Sequence, residues 1–146
     1  MPIERPLSAE EQEELDAYFT LALGYLPVAQ QEDPSFLIAA LHLLLEEARA
    51  GRFQHVPLDD LATYGGVLWG DELCRLLGWS WCYLTFEDGL EGAAVVCDDR
   101  SQVVLPIHLV YRWLTRTEAA NDCQPLFERL SRQPEAPPPG GYLLIG

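Results

Sequence analysis

Histidines and carboxylates are the first candidates for chemistry, because they can transfer protons and bind metal ions near neutral pH. His108, near the start of a predicted helix, and Asp71, on an earlier helix, are the residues we would test first for hydrolase-like catalysis. His42 and Glu46 are four residues apart, a spacing that puts two metal ligands on one helix face. No second pair with metal-ligand spacing accompanies them, so we expect a structural contact and no bound metal.

The local signatures of common enzymes are missing. The sequence has no G-x-S-x-G, no P-loop, no G-x-G-x-x-G and no H-E-x-x-H. Adjacent acids recur at 10–11, 13–14, 46–47, 59–60, 71–72 and 98–99, so no pair stands out as a tuned acid–base dyad. We therefore expect no cofactor, and we favour a non-enzymatic role.

The four cysteines show no C-x-x-C pair and no zinc-ligand spacing. Cys82 and Cys97 lie on consecutive predicted strands. They would be direct cross-strand partners if the hairpin turns around residues 89–90, and offset by two if it turns around 88–89. We expect no secretory leader, and the sequence has no apolar run long enough to span a bilayer. These features predict a cytoplasmic protein with reduced thiols.

Charge is the strongest signal in the composition. Twenty-three acids face nine bases, all of them arginine, which gives a formal net charge of -14. Such a charge repels polyphosphate, so nucleic acid and anionic membranes are poor partners, whereas a basic protein is a suitable one. Residues 1–60 carry twelve acids and three arginines, and residues 100–146 carry four acids and five arginines. This asymmetry could orient the molecule toward a cationic partner, or hold its own two ends together through arginine–carboxylate contacts.

The densest group of acids lies on the first predicted helix. Ser8-Ala9-Glu10-Glu11 has the form of a capping box, which predicts a helix over 8–23 with an apolar side formed by Leu15, Tyr18, Phe19 and Ala22. The partner-binding residues that we predict on this helix are Glu10, Glu13, Glu14 and Asp16.

The remaining pattern predicts an α+β domain spanning 1–146. Helices are expected over 34–50, 59–77 and 107–120, with a short one over 125–132. Aromatic and β-branched runs predict a three-stranded antiparallel meander over 79–86, 92–97 and 102–105. Both faces of the first strand carry apolar residues, so both should be covered. A Pro/Gly-rich linker over 134–141 precedes an apolar segment, 142–145, that should dock on the sheet edge or cover its open face.

The helix over 59–77 should be central in the fold. Gly66 and Gly70 are four residues apart and so share a helix face, where the missing side chains would let another element approach closely. The tryptophans could form a binding wall, but core packing accounts for them better. They are Trp69, Trp79, Trp81 and Trp113.

Residues 60–114 resemble a bacterial family called domain of unknown function 3806. The resemblance lies in a Gly-x-x-x-Gly-acid helix at 66–71, a tryptophan-bearing strand after Gly78, a second strand over 92–97, and a Pro106-led segment ending at Arg112. Tyr111 stands where a second basic residue often precedes that arginine. The family has no established activity, so the resemblance implies a fold and no catalytic residues.

Together these observations favour a non-enzymatic, acidic protein-binding module. Its most concrete form is an immunity-type protein that neutralises a cationic partner. Two alternatives stay open: a hydrolase-like enzyme with a nonstandard active site, and a self-associating structural domain.

Overall fold

The computed structural model describes residues 2–25, 34–115, 126, 128–130 and 139–145, with backbone alone for 34–40 and 145. This part of the chain is α+β. In chain order its elements are β1 Ile3–Arg5, α1 Ala9–Leu23, α2 Pro34–Arg49, α3 Leu58–Leu77, β2 Ser80–Thr85, β3 Glu91–Val96, β4 Gln102–Val104, α4 Pro106–Thr115 and β5 Leu143–Ile145.

The helix boundaries follow from local signals in the sequence. The predicted capping box is present: the Glu11 amide donates to Ser8 Oγ, and the Ser8 amide donates to the Glu11 side chain. Gly78 ends α3 in the left-handed conformation, with φ at 74°, which glycine adopts without strain. Residues 116–120 of the predicted fourth helix lie outside the described residues. The short helix predicted over 125–132 is described at 126 and 128–130, where the backbone is helical.

The sheet is larger than the predicted meander. The three predicted strands are its centre, and they pair antiparallel in sequence order. β1 pairs antiparallel with β2 at one edge, and β5 pairs parallel with β4 at the other, so the sheet has five strands and is mixed. The segment over 142–145 therefore docks on a sheet edge, one of its two predicted positions. The three-stranded prediction missed β1, which has only three residues and no alternating pattern.

The turn between β2 and β3 corrects the expected register. Cys82 pairs with Ala94, so neither register considered from the sequence is right. The Gly89 amide donates to the Phe86 carbonyl and the Phe86 amide to the Leu90 carbonyl, which closes a loop of three residues. Gly89 takes the left-handed position, with φ at 90°, as this hairpin type requires.

Helix α3 is the centre of the fold, as predicted. It packs against α1, α2 and α4 and touches β2 and β3. The main core lies between the helices and one face of the sheet, and it includes Trp69, Trp79 and Trp113. Trp81 is half-buried against it, so the tryptophans belong to the core.

The second face of the sheet carries its own apolar cluster, as the two-sided apolar pattern predicted. Cys82, Leu84, Ala94, Val96 and Val103 are buried there.

Candidate functional site

The outward face of α1 carries an acidic stripe, which we define as Glu10, Glu13 and Glu14 with Leu21. Their spacing of three, four and seven residues puts them on one side of the helix. All four side chains are exposed, Leu21 by 54%. Among the described residues, no arginine or histidine pairs with the three glutamates. The stripe is therefore an uncompensated anionic surface with an apolar residue at one end.

The other acids of α1 are already engaged. Arg5 forms two hydrogen bonds to the Glu11 carboxylate, at 2.7 and 3.0 Å, and this contact lowers the pKa of Glu11 to about 2. Asp16 is exposed and accepts a hydrogen bond from Gln12 at 3.1 Å. It lies on the side of α1 that faces α3, where its charge contributes to raising the pKa of Asp71. Of the four predicted partner-binding residues, the structure thus places three together and Asp16 on the flank.

Aromatic rings border the acidic stripe. Tyr18 is four residues beyond Glu14 and is 37% exposed. Its ring lies 6.1 Å from Tyr64, which stacks on Tyr25 at 5.5 Å with an angle of 27° between the planes. We call these three residues the tyrosine row. The sequence placed Tyr18 in the apolar side of the helix, whereas in the structure Leu15 and Ala22 are buried and the tyrosine reaches the surface.

The tyrosine row continues to a phenylalanine that already binds a cation. The Phe53 ring meets Tyr25 edge-on at 5.5 Å, and the Arg52 guanidinium lies 5.3 Å from the centre of the Phe53 ring. At the middle of the row, burial and then the charge of Asp60 raise the pKa of Tyr64. Rings with acids beside them are suited to a cationic side chain, because the ring face and the carboxylate both attract positive charge.

A groove between α3 and α4 is the second candidate. It has a volume of about 470 Å³. Its lining residues, which define the α3–α4 groove, are Asp59, Ala62, Thr63, Ile107, His108, Tyr111 and Arg112.

The two residues proposed for catalysis are not brought together. His108 is exposed and lines the α3–α4 groove. Asp71 does not line it: this carboxylate is half-buried beside α1, where burial and then the charge of Asp16 raise its pKa while Arg75 lowers it. Asp71 is twelve residues from Asp59 on the same helix, about 18 Å along the axis. Asp59 is the carboxylate that shares the groove with His108.

The remaining sequence candidates are structural contacts. His42 Nε2 lies 3.1 Å from Glu46 Oε1, which confirms the shared helix face. Within the described ranges, no three His, Cys, Asp or Glu side chains are close enough to hold a metal ion. The Cys74, Cys82 and Cys97 thiols are free, and burial raises the pKa of Cys74 to about 12 and that of Cys82 to about 11. Such thiols are poor nucleophiles.

Sequence reasoning missed Glu72. This carboxylate is fully buried on α3, and in the described structure its Oε2 atom has no hydrogen-bond partner. Arg75 Nη1 donates to Oε1 at 3.2 Å, yet burial dominates and raises the pKa of Glu72 to about 7. The only signal in the sequence was the position of Glu72, one residue after Asp71 and therefore about 100° around the helix from it.

In the described residues, no helix has the length and apolar character needed to cross a bilayer. No protein-family model, curated protein or solved structure matches this chain.

Proposed function

We propose that the protein is an acidic binding module for a basic protein partner, and that the acidic stripe and the tyrosine row form its binding surface. The observation that carries the proposal is that, in the described part of the chain, no cationic side chain pairs with Glu10, Glu13 or Glu14, which lie beside exposed Leu21 and Tyr18. Uncompensated charge steers an oppositely charged partner during encounter, and tyrosine is enriched among the residues that dominate binding energy.

The fitting partner is a protein segment that presents arginine next to apolar side chains. Its guanidinium groups would pair with the glutamates and stack on the tyrosine rings, while apolar groups cover Leu21. An immunity-type role, in which this chain neutralises a cationic toxin in the bacterial cytoplasm, is the most concrete version. The cytoplasmic location is part of the proposal, and free thiols support it. Membership of residues 60–114 in the family called domain of unknown function 3806 is also a proposal.

The test is a comparison of two triple charge reversals. In the first, Glu10, Glu13 and Glu14 become arginine. In the control, three exposed acids outside α1, in or next to the two hairpin turns, become arginine, namely Asp88, Glu91 and Asp98. Both variants have the same net charge, so a difference between them reports the location of the acids and not their number.

The probe is a fluorescently labelled helical peptide with arginine on one face and leucine on the other, mixed with protein by stopped flow. At 0.1 M salt, where the Debye length is about 10 Å, reversal of the stripe should slow association far more than the control does. At 1 M salt, where it is about 3 Å, the difference should shrink. Tyr18→Ala should speed dissociation and leave association unchanged, since rings act at short range. Equal association rates for the two reversals at low salt would contradict the proposal.

Self-association is the alternative with a specific observation behind it. Both edge strands of the sheet expose apolar side chains, Ile3 by 71% on β1 and Leu143 by 51% on β5. Light scattering at increasing protein concentration distinguishes the two functions, because a self-associating domain would form dimers without any peptide. His108 and Asp71 do not support the enzyme alternative, because His108 lines the α3–α4 groove and Asp71 does not.

A further inference from the structure

The α3–α4 groove begins where two closely packed helices part. At Gly66 the helices touch, since a Cβ atom there would lie 2.6 Å from Ile107 Cα. Four residues nearer the start of α3, at Ala62, the same helices enclose the groove of about 470 Å³. This volume is in the range of small-molecule sites, about 300–1,000 Å³. The contact at Gly66 thus closes the groove at one end.

The groove has an apolar base and two walls of opposite charge. Ala62 is 1% exposed and Ile107 is half-buried, so they form the base. Asp59, with Thr63 one turn later, makes the α3 wall, and the Asp59 carboxylate forms no ion pair within the described residues. The α4 wall carries His108 and, one turn later, Arg112.

We infer that the α3–α4 groove binds a small zwitterion with an apolar side chain, the chemistry of a free α-amino acid. Its ammonium group would pair with Asp59 and its carboxylate with Arg112 and His108, while the side chain rests on Ala62 and Ile107. A simple anion would meet the repulsion of Asp59, and a simple cation that of Arg112. Polyphosphate ligands are disfavoured by the net charge of -14. This site is separate from the acidic stripe and stands independently of the proposed partner.

The probes are L-phenylalanine and two analogues that each lack one charged group: 3-phenylpropanoate, without the amine, and 2-phenylethylamine, without the carboxylate. Binding is measured by NMR titration of the folded protein, with shifts expected at His108 and Arg112. L-phenylalanine should bind, and each analogue should bind about tenfold more weakly, since a charge-assisted contact is lost.

Single substitutions then assign each charged group to its wall. Asp59→Asn should weaken L-phenylalanine about tenfold and should not weaken 3-phenylpropanoate, because that analogue lacks the amine and is repelled by the Asp59 carboxylate. Arg112→Gln should weaken L-phenylalanine similarly and should not weaken 2-phenylethylamine, because that analogue lacks the carboxylate and is repelled by the Arg112 guanidinium. Asp98→Asn, an exposed acid elsewhere, is the matched control and should change nothing.

A filling variant tests the pocket itself. Thr63→Phe places a ring in the groove and should abolish binding of all three probes. If it fails to fold, the two charge variants, which alter exposed side chains, decide the question. The inference is overturned if L-phenylalanine produces no shifts at millimolar concentration, if either analogue binds as tightly as L-phenylalanine, or if neither charge variant weakens binding.

Discussion

Glu72 is a carboxylate held inside the protein on α3. Its pKa is raised to about 7 by burial, with the charge of Asp71 adding to the effect and Arg75 opposing it. A raised pKa means that the folded protein keeps the proton between pH 4.5 and 7, whereas the unfolded chain releases it. The free energy of unfolding must therefore fall as the pH rises through this window. Above pH 7 the ionised form costs the fold roughly 3 kcal/mol.

We predict that Glu72→Gln removes this pH-dependent cost. Relative to the wild type, the variant should gain roughly 2–3 kcal/mol in unfolding free energy between pH 5 and pH 8, because glutamine has no charge to desolvate. Urea denaturation at both pH values measures the gain, and comparison with the wild type cancels the titration of other groups. Glu13→Gln, on an exposed site, is the control. An equal change in stability at the two pH values would show that Glu72 stays protonated throughout.

Glu72 and Tyr18 were not predicted correctly because residue type alone does not show which side of a helix faces the core. Acids occur in adjacent pairs along the whole sequence, and Asp71-Glu72 looked like another solvated pair. The helix turns by 100° between them, which leaves Asp71 half-buried and Glu72 fully enclosed. Tyr18 fitted the apolar periodicity of α1, yet its phenol reaches the surface. By contrast, the exposed acids of α1 and the position of His108 early in α4 were predicted correctly.

At the scale of elements, the contact between α3 and α4 depends on glycine. A Cβ atom at Gly66 would lie 2.6 Å from Ile107 Cα and 2.7 Å from Ile107 N, and these backbone atoms cannot rotate aside. At Gly70 an added Cβ would lie 2.6 Å from the Trp81 ring. The close approach predicted from the spacing of the two glycines is confirmed, with α4 on one turn and β2 on the next.

We predict that Gly66→Ala destabilises the protein by about 1–3 kcal/mol through overpacking, although alanine is the better helix former by about 1 kcal/mol. Gly66→Leu should cost more. Gly92→Ala is the matched control, since its Cβ would lie 3.5 Å from His108 Cε1, an ordinary contact. Urea denaturation compares the variants. An unchanged midpoint for Gly66→Ala would mean that the helices move apart without cost.

Both edge strands are tied to the same turn by the Glu4 network, which we define as Glu4, Arg100 and Tyr142. Arg100 donates to the Glu4 carboxylate at 3.0 and 3.1 Å, and the Tyr142 hydroxyl donates to it at 2.9 Å. Arg100 and Tyr142 both have positive φ, 58° and 48°, a conformation that L-residues rarely adopt. An arginine–carboxylate contact between the segments 1–60 and 100–146, considered from the charge asymmetry, is therefore present.

We predict that Glu4→Gln loosens both edge strands. Amide hydrogens of Ile3–Arg5 and Leu143–Ile145 should exchange about tenfold faster, the loss of a charge-assisted contact, while those in the middle of α3 stay unchanged. Hydrogen bonding to Arg100 lowers the pKa of Glu4 from its ordinary 4.5. Its contribution is complete above pH 4.5 and is lost as the pH falls through the lowered value, so acidified wild type should approach the variant. Unaltered exchange at both edges would contradict a linking role.

Edge strand β1 was missed by the sequence analysis for a physical reason. Three residues cannot establish an alternating pattern, and β1 reads Ile-Glu-Arg, with a charge at two of its positions. Arg100 occupies a left-handed position that composition assigns to glycine or asparagine. Strands β2 and β3, by contrast, are six residues long, with aromatic and β-branched side chains in β2 and two valines in β3, so their existence was predictable.

For the whole molecule, arginine is too scarce to neutralise the surface. Twenty-three acids and nine arginines leave fourteen acids without a one-to-one partner. Four of the arginines pair within the described structure, with Glu4, Glu11, Glu47 and Glu72. The unpaired charge therefore concentrates where arginine is absent, along α1. Net charge was readable from composition, but its arrangement depended on which acids the arginines reach in three dimensions.

The Glu4 network can be completed only after Tyr142 has been synthesised. The tyrosine that completes it lies 138 residues after its glutamate in the sequence. The outer edge of β4 stays unpaired until β5 has been synthesised, and β5 begins 39 residues after Val104. At about 5–20 residues per second, that edge stays open for about 2–8 s of synthesis. A nascent chain stopped before Tyr142 would leave the outer edge of β4 unpaired, and another chain could pair with it.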